Sequence, residues 1–280
     1  MASSFRVSAG FLNGLKALFP ETSNTIGPIW QPPMLKSPWY IVAAVAFSAS
    51  NRPEGVPQVF EHALADLRAS LANAERTALS SDNEKLLAQR FRDALFKSGL
   101  ISGYPKAINS LKSLHEAMPV ELWETAVSRD TGATLTSYEV AGQSLWRSVY
   151  GEKSGSVQAL LDSIYPDMGE IFTRYSYLCI MLKSRDLFEG WFSRAIGYGL
   201  VYGHTDFVSP LETSYTLVAA LIAGDTPQQI DWHLEGAQRG GATFEEVSAV
   251  REASIKVAEL SGIQWRHPIP EVKLVTERQP

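Results

Sequence analysis

Apolar residues in this chain recur at intervals of three and four along most of its 280 positions, and runs in which they alternate with polar residues are scarce. An interval of three or four keeps side chains on one face of a helix, whereas strict alternation marks a strand. The pattern predicts an all-α fold. Pro38 opens an apolar helix over 39–49 that Ser50-Asn51-Arg52-Pro53 closes. Phe60, Leu64, Leu67 and Leu71 mark a second helix. Ser81-Asp82 followed by Glu84 reads as the start of a third, carrying Leu86, Leu87, Phe91, Leu95 and Phe96 and ending at Gly99 or Gly103. A short helix with Ile108, Leu111 and Leu114 follows Tyr104-Pro105. Residues 138–150, 157–164, 166–184 and 187–202 complete the helical series, with Pro166 suited to a first turn, where its missing N–H has no partner to lose.

The most loop-like interval is 128–133, Ser-Arg-Asp-Thr-Gly-Ala, and the halves on either side of it echo one another. Val42-Ala-Ala-Val-Ala-Phe47 is similar to Val218-Ala-Ala-Leu-Ile-Ala223. Each run leads through a turn to an aromatic residue shortly before a histidine, Phe60 before His62 and Trp232 before His233. The expected organisation is an N-terminal helix and linker over 1–36, a first helical repeat over 37–128, a second over 134–265 and an irregular tail over 266–280.

Composition removes several classes of function. A hydrophobic fraction of 45% and a charged fraction of 20% suit a globular chain with a substantial core. The net charge of −5 and the lack of interleaved basic and aromatic runs give no footprint for nucleic acid or an anionic membrane surface. No apolar run approaches the ~20 residues of a membrane-spanning helix. The single cysteine, Cys179, excludes an internal disulfide framework, a CxxC centre and a cysteine-rich zinc site, and suggests a reducing intracellular compartment. Its neighbours Tyr177, Leu178, Ile180, Met181 and Leu182 make it a buried structural thiol.

No phosphate loop and no dinucleotide fingerprint is present, and neither His204 with Asp206 nor His115 with Glu116 has a second ligand pair at zinc-like spacing. No cofactor and no metal is expected. The first nineteen residues contain Arg6, Lys16, several serines and no acid, the composition of a mitochondrial presequence. Phe11, Leu12, Leu15, Leu18 and Phe19 also make the apolar face of a structural helix, the reading preferred here, which leaves a mitochondrial or a cytoplasmic location open. The ending Glu277-Arg-Gln-Pro280 is not of the peroxisomal Ser-Lys-Leu type.

Over 209–247 the order of pieces becomes specific: a helix rich in small apolar residues, a second helix bearing His233, Gly240-Gly241, and the acidic helix start Thr243-Phe-Glu-Glu246. This order resembles the carboxymuconolactone decarboxylase-like family, which includes the alkyl hydroperoxidase D proteins. Residues 91–108, with their Gly-Tyr-Pro turn, and residues 39–64 and 142–201 extend the likeness over most of the chain, in the manner of a fungal, double-length branch. The resemblance implies a duplicated alkyl hydroperoxidase D-like helical fold and a homo-oligomer.

The hydroperoxidase chemistry does not carry over. That branch places a Glu and two cysteines before its histidine, with a thiolate as the attacking group. Here the matching positions hold Ser214, Thr226 and Gln229, and Glu212 stands two residues from Ser214, about 200° around a helix. The decarboxylase branch needs no cysteine and implies proton transfer by His and acidic groups, for which an imidazole with a pKa near 6.5 is suited. His233 is then the catalytic candidate and His62 its counterpart in the first half, acting on a small carboxylated or lactone molecule. The competing readings are a non-catalytic helical protein that kept the fold, and a peroxidase-type antioxidant protein working through Cys179 alone.

Overall fold

The computed structural model describes residues 5–20, 32–72, 80–164 and 191–275. Every regular element among them is helical. Besides short 3-10 turns at Val120–Leu122 and Gly151–Lys153, these are in chain order α1 (Ala9–Ala17), α2 (Pro33–Lys36), α3 (Trp39–Ala49), α4 (Gly55–Ala72), α5 (Ser80–Ser102), α6 (Tyr104–Ala117), α7 (Leu135–Tyr150), α8 (Ser154–Ile164), the π-helical Trp191–Tyr202, α9 (Pro210–Ala223), α10 (Pro227–Arg239) and α11 (Phe244–Leu260). No helix among the described residues is long and apolar enough to cross a membrane. The expected helix over 166–184 and Cys179 lie outside the described residues.

The chain forms two compact units, and they do not follow the expected division. One unit combines Met1–Thr125 with Phe207–Arg278; the other comprises Ala126–Asp206. The first boundary falls close to the predicted loop at 128–133, but the stretch 134–265 is not one unit, because α9, α10 and α11 complete the core begun by α1 to α6. The reason lies in α3 and α9. All eleven residues of α3 are buried, as are thirteen of the fourteen in α9. A helix apolar around its whole circumference must be covered on every side. The packing is reciprocal: α3 lies against α9, α3 also packs on α4, α5 and α11, and α9 packs on α10, α11 and α5.

α1 belongs to this core, since Leu12 and Leu15 are buried in it, so the N-terminal apolar residues serve a structural helix. Local signals place the later helices. Ser209 and Thr243 each accept from the backbone N–H three residues on, while Glu212 and Glu246 bond back to the cap N–H, giving two complete capping boxes. Residues 265–275 have no regular structure yet are tied down. The Trp265 indole donates to the Ile222 carbonyl at 2.7 Å and Arg251 Nε to that of Pro270 at 2.7 Å. Gln238 brackets the chain further on, donating to the Lys273 carbonyl at 2.7 Å and accepting from Val275 N–H at 3.2 Å.

In the second unit α7 packs closely on the π-helical Trp191–Tyr202. A Cβ at Gly142 would overlap the Arg194 carbonyl, and one at Gly199 would overlap that of Tyr138, so glycine is required for the two backbones to approach. Beside this contact Trp146, Tyr150, Tyr198 and Tyr202 form an aromatic group, with Trp146 and Tyr198 edge to face at 5.2 Å and the Arg194 guanidinium 5.1 Å from the Trp146 ring.

Candidate functional site

His233, on α10, shares a face with Ile230, Leu234 and Ala237 and is 3% exposed. Burial, and secondarily the charge of Arg239, lowers its pKa to about 4. The imidazole is therefore neutral near pH 7 and too weak a base to take up a proton readily there. Glu235 is paired with Arg239 at 3.3 Å along the same helix, and both side chains are largely covered.

Two of the three positions that the family resemblance marks for redox chemistry, Ser214 and Thr226, are turned onto their own backbone. The Ser214 hydroxyl donates to the Pro210 carbonyl at 3.3 Å and that of Thr226 to Leu221 at 3.3 Å.

His62, on α4, sits in different company. Its Nε2 is 3.0 Å from Asn13 Oδ1 of α1 and 4.0 Å from Asp66, one turn along α4, and its ring meets Trp39 edge to face at 5.8 Å. Asp66 also holds Lys16 at 2.7 Å, so α1 is fixed to α4 by a chain of polar contacts. None of these partners lies on α10. Beside them opens a cavity of about 840 Å³ between α1, α2 and α4, lined by Asn13, Lys16, Lys36, Trp39 and Asp66 together with Phe19 and Met34. That volume lies within the range of small-molecule sites.

A second constellation was not anticipated from sequence. Arg90, Asp93 and Lys97 project from α5 into the interior, with exposures of 6%, 3% and 0%. Arg90 donates through Nε to the Tyr40 hydroxyl at 2.6 Å, through Nη1 to the Phe207 carbonyl at 3.1 Å, and through Nη2 to Glu212. The Tyr40 hydroxyl in turn donates to the Leu35 carbonyl at 3.3 Å, and the second Glu212 oxygen accepts from Ser209 N–H at 3.1 Å. Lys97 forms an ion pair with Asp93 at 3.1 Å and donates to the Val208 carbonyl at 3.1 Å and Thr213 Oγ1 at 3.0 Å.

Burial works against the Arg90 charge, but Tyr40 and Glu212 more than offset it and hold the guanidinium above its usual value. Burial pushes the Tyr40 phenol up to about 12. Tyr215, one turn beyond Glu212, is raised further by burial and by the facing carboxylates of Glu246 and Glu212. These groups are neither poised near neutrality nor open to a ligand. Their partners fix α3, α5, α9 and the 207–209 loop to one another.

Among the described residues no group of three His, Cys, Asp or Glu side chains gathers to hold a metal ion. His115 stacks on Trp123 with ring centroids 4.2 Å apart.

No protein-family model and no solved structure matches the chain. Two fungal proteins do. Peroxisomal protein 2 of Saccharomyces cerevisiae is 27% identical across 84% of this chain and 92% of its own length. Peroxisomal protein 2 of Schizosaccharomyces pombe is 27% identical across 82% of this chain and 90% of its own length. The similarity spans nearly all of both relatives, so what this chain resembles is a whole fungal protein of that description.

Proposed function

We propose that this chain is a peroxisome-associated helical protein that keeps the carboxymuconolactone decarboxylase-like arrangement without its chemistry, and holds a small carboxylated molecule rather than converting it. The observation that carries the reading is the state of its ionisable interior. His233 is buried with a pKa of about 4, and Arg90, Glu212 and Lys97 are occupied by partners from the protein itself. A general acid or base is most effective with a pKa near the working pH and within reach of substrate, and His233 meets the first condition poorly. A closed set of hydrogen-bonded charges is suited to fixing helices.

The reciprocal packing of α3 and α9 supports a duplicated fold in which α4 and α10, with His62 and His233, are counterparts. Homo-oligomerisation belongs to the same reading, with Ile108, Val120 and Trp123 supplying apolar side chains at 59%, 65% and 43% exposure. The compartment is taken from the names of the two relatives in place of the mitochondrial or cytoplasmic location expected from sequence.

The test is to incubate the purified protein with lactones, β-keto acids and an organic hydroperoxide. No conversion above the buffer rate is expected. Conversion that disappears in a folded His233→Ala variant would replace this reading with His-mediated acid–base catalysis. A fluorescent fusion expressed in yeast should co-localise with a peroxisomal marker.

A further inference from the structure

The irregular stretch 265–275 is held mainly by its backbone. The Asp225 carboxylate accepts from Arg266 N–H at 2.9 Å, and Arg251 of α11 donates to the carbonyls of Ile269 and Pro270 at 3.1 and 2.7 Å. Gln238 of α10 uses both ends of its carboxamide, on the Lys273 carbonyl and the Val275 N–H, as one residue of a neighbouring parallel strand would. α4 treats the other end of the chain alike: Gln58 donates to the Phe5 carbonyl at 3.1 Å and accepts from Val7 N–H at 2.8 Å. Side chains add an order of charge. His267, Glu271 and Lys273 stand against Asp225, Arg251 and Asp231 at 3.5, 2.7 and 2.8 Å, so a base, an acid and a base face an acid, a base and an acid. Trp265, Ile269 and Val272 pack partly against the core. Backbone bonds combined with side-chain matching are how an extended peptide is recognised. No residue from 262 to 275 is buried, and the stretch follows Gly262 at φ +87°, a conformation that glycine adopts freely, so it can lift away without opening the core.

We propose that the groove along α10 and α11 is a docking site for the tail of a second copy of this chain, which takes the place of the groove's own 265–275. The contacts are the same whichever copy supplies the tail, and exchange of a terminal segment is a low-cost route to an oligomer. The resident tail competes from an effective concentration of about millimolar. Exchange therefore grows with protein concentration and with any weakening of the resident tail. The proposal rests on the homo-oligomeric reading above for the identity of its partner and is independent of ligand and turnover.

Two full-length variants test this by complementation. The groove variant, Gln238→Ala with Arg251→Ala, keeps its tail but loses the clasp; the tail variant, Trp265→Ala with Lys273→Glu, keeps its groove but loses the occupant. The groove variant is isotope-labelled, so that exchange at its Arg266 and Val275 amides is followed in the mixture. These amides should exchange fast in the groove variant alone and slow roughly ten-fold when the tail variant is added in excess, as expected once docked tails outnumber open ones by that factor. Added wild type, whose groove is filled, should slow them far less. Asp231→Lys, which sets like charge against Lys273, replaces the groove pair if the double truncation does not fold.

Amides that stay fast in the mixture would overturn the proposal, as would equal slowing by wild type and tail variant, which would place the docked tail outside the groove. Amides already slow in the groove variant alone would remove the clasp itself. Sedimentation of the wild type judges homo-oligomerisation separately: a monomeric wild type with slowed amides in the mixture would sink that reading and spare the groove.

Discussion

The two compact units join their helices by different means. In the unit formed by Met1–Thr125 and Phe207–Arg278, side chains do the joining: α3 and α9 are sheathed in apolar neighbours, and Arg90 and Lys97 reach from α5 to α3, α9 and the loop before α9. In Ala126–Asp206 the absence of side chains is what matters, since Gly142 and Gly199 let the backbone of α7 approach that of Trp191–Tyr202 directly. An interface of side chains can relax around a lost group, at the cost of a cavity or an unpaired charge. An interface of backbones has no such slack.

The sharpest way to break this contrast is Gly142→Leu. Its side chain would have to enter the space of the Arg194 carbonyl, and a loss of about 5 kcal/mol or more is expected, at the extreme of single substitutions. Hydrogen exchange should show protection falling in α7 and in Trp191–Tyr202 while α3 and α9 keep theirs. Preserved protection in α7 would refute the backbone-contact account.

Next in size is Glu212→Met, which leaves the Arg90 guanidinium buried without its counter-charge and should lower the free energy of unfolding by roughly 3–5 kcal/mol. Combining it with Arg90→Met should recover much of that loss in denaturant titrations. If the double variant is as unstable as the single one, the pair stabilises the fold beyond mutual compensation.

A smaller effect follows from His233. Its pKa is about 4 in the folded protein against about 6.5 in an unfolded chain, so between these values the unfolded chain binds more protons and stability rises with pH. The contribution is complete above about pH 6.5, declines as pH falls through that window, and is gone below about pH 4, a span worth about 3 kcal/mol. His233→Leu should flatten this part of the stability curve, and an unaltered curve would mean that the folded imidazole titrates normally. At the bottom of the scale Lys112→Ala removes an exposed pair with Glu116 on α6 and should change stability by a few tenths of a kcal/mol, measured by thermal melting.

Much of the helical series could be read from sequence because it depends on local spacing. The apolar run from Trp39 to Ala49, the Thr243 to Glu246 helix start and the helix after Gly103 are all where periodicity and capping residues place them. The inserted unit was not legible, because contiguity along the chain says nothing about α9 returning to pack on α3. Nor was the Arg90–Glu212 pair, whose members are 122 residues apart. Charges at 90, 93 and 97 ordinarily read as a solvated helix face; that they lie amid Leu87, Phe91, Ala94 and Leu95 was the available hint. The histidines were legible as positions but not as chemistry, since the burial that lowers His233 and the α1 contacts that hold His62 come from tertiary packing.

That α3 is buried on all sides has a consequence for how the chain is made. Its covering helices α9 and α11 are encoded far downstream, with the whole of Ala126–Asp206 translated in between. At ribosomal speeds of about 5–20 residues per second, more than ~10 seconds separate the emergence of α3 from that of α11. During that interval the nascent polypeptide carries a fully apolar helix with half its coat missing, which makes it a substrate for co-translational chaperones and places its greatest aggregation hazard before synthesis ends.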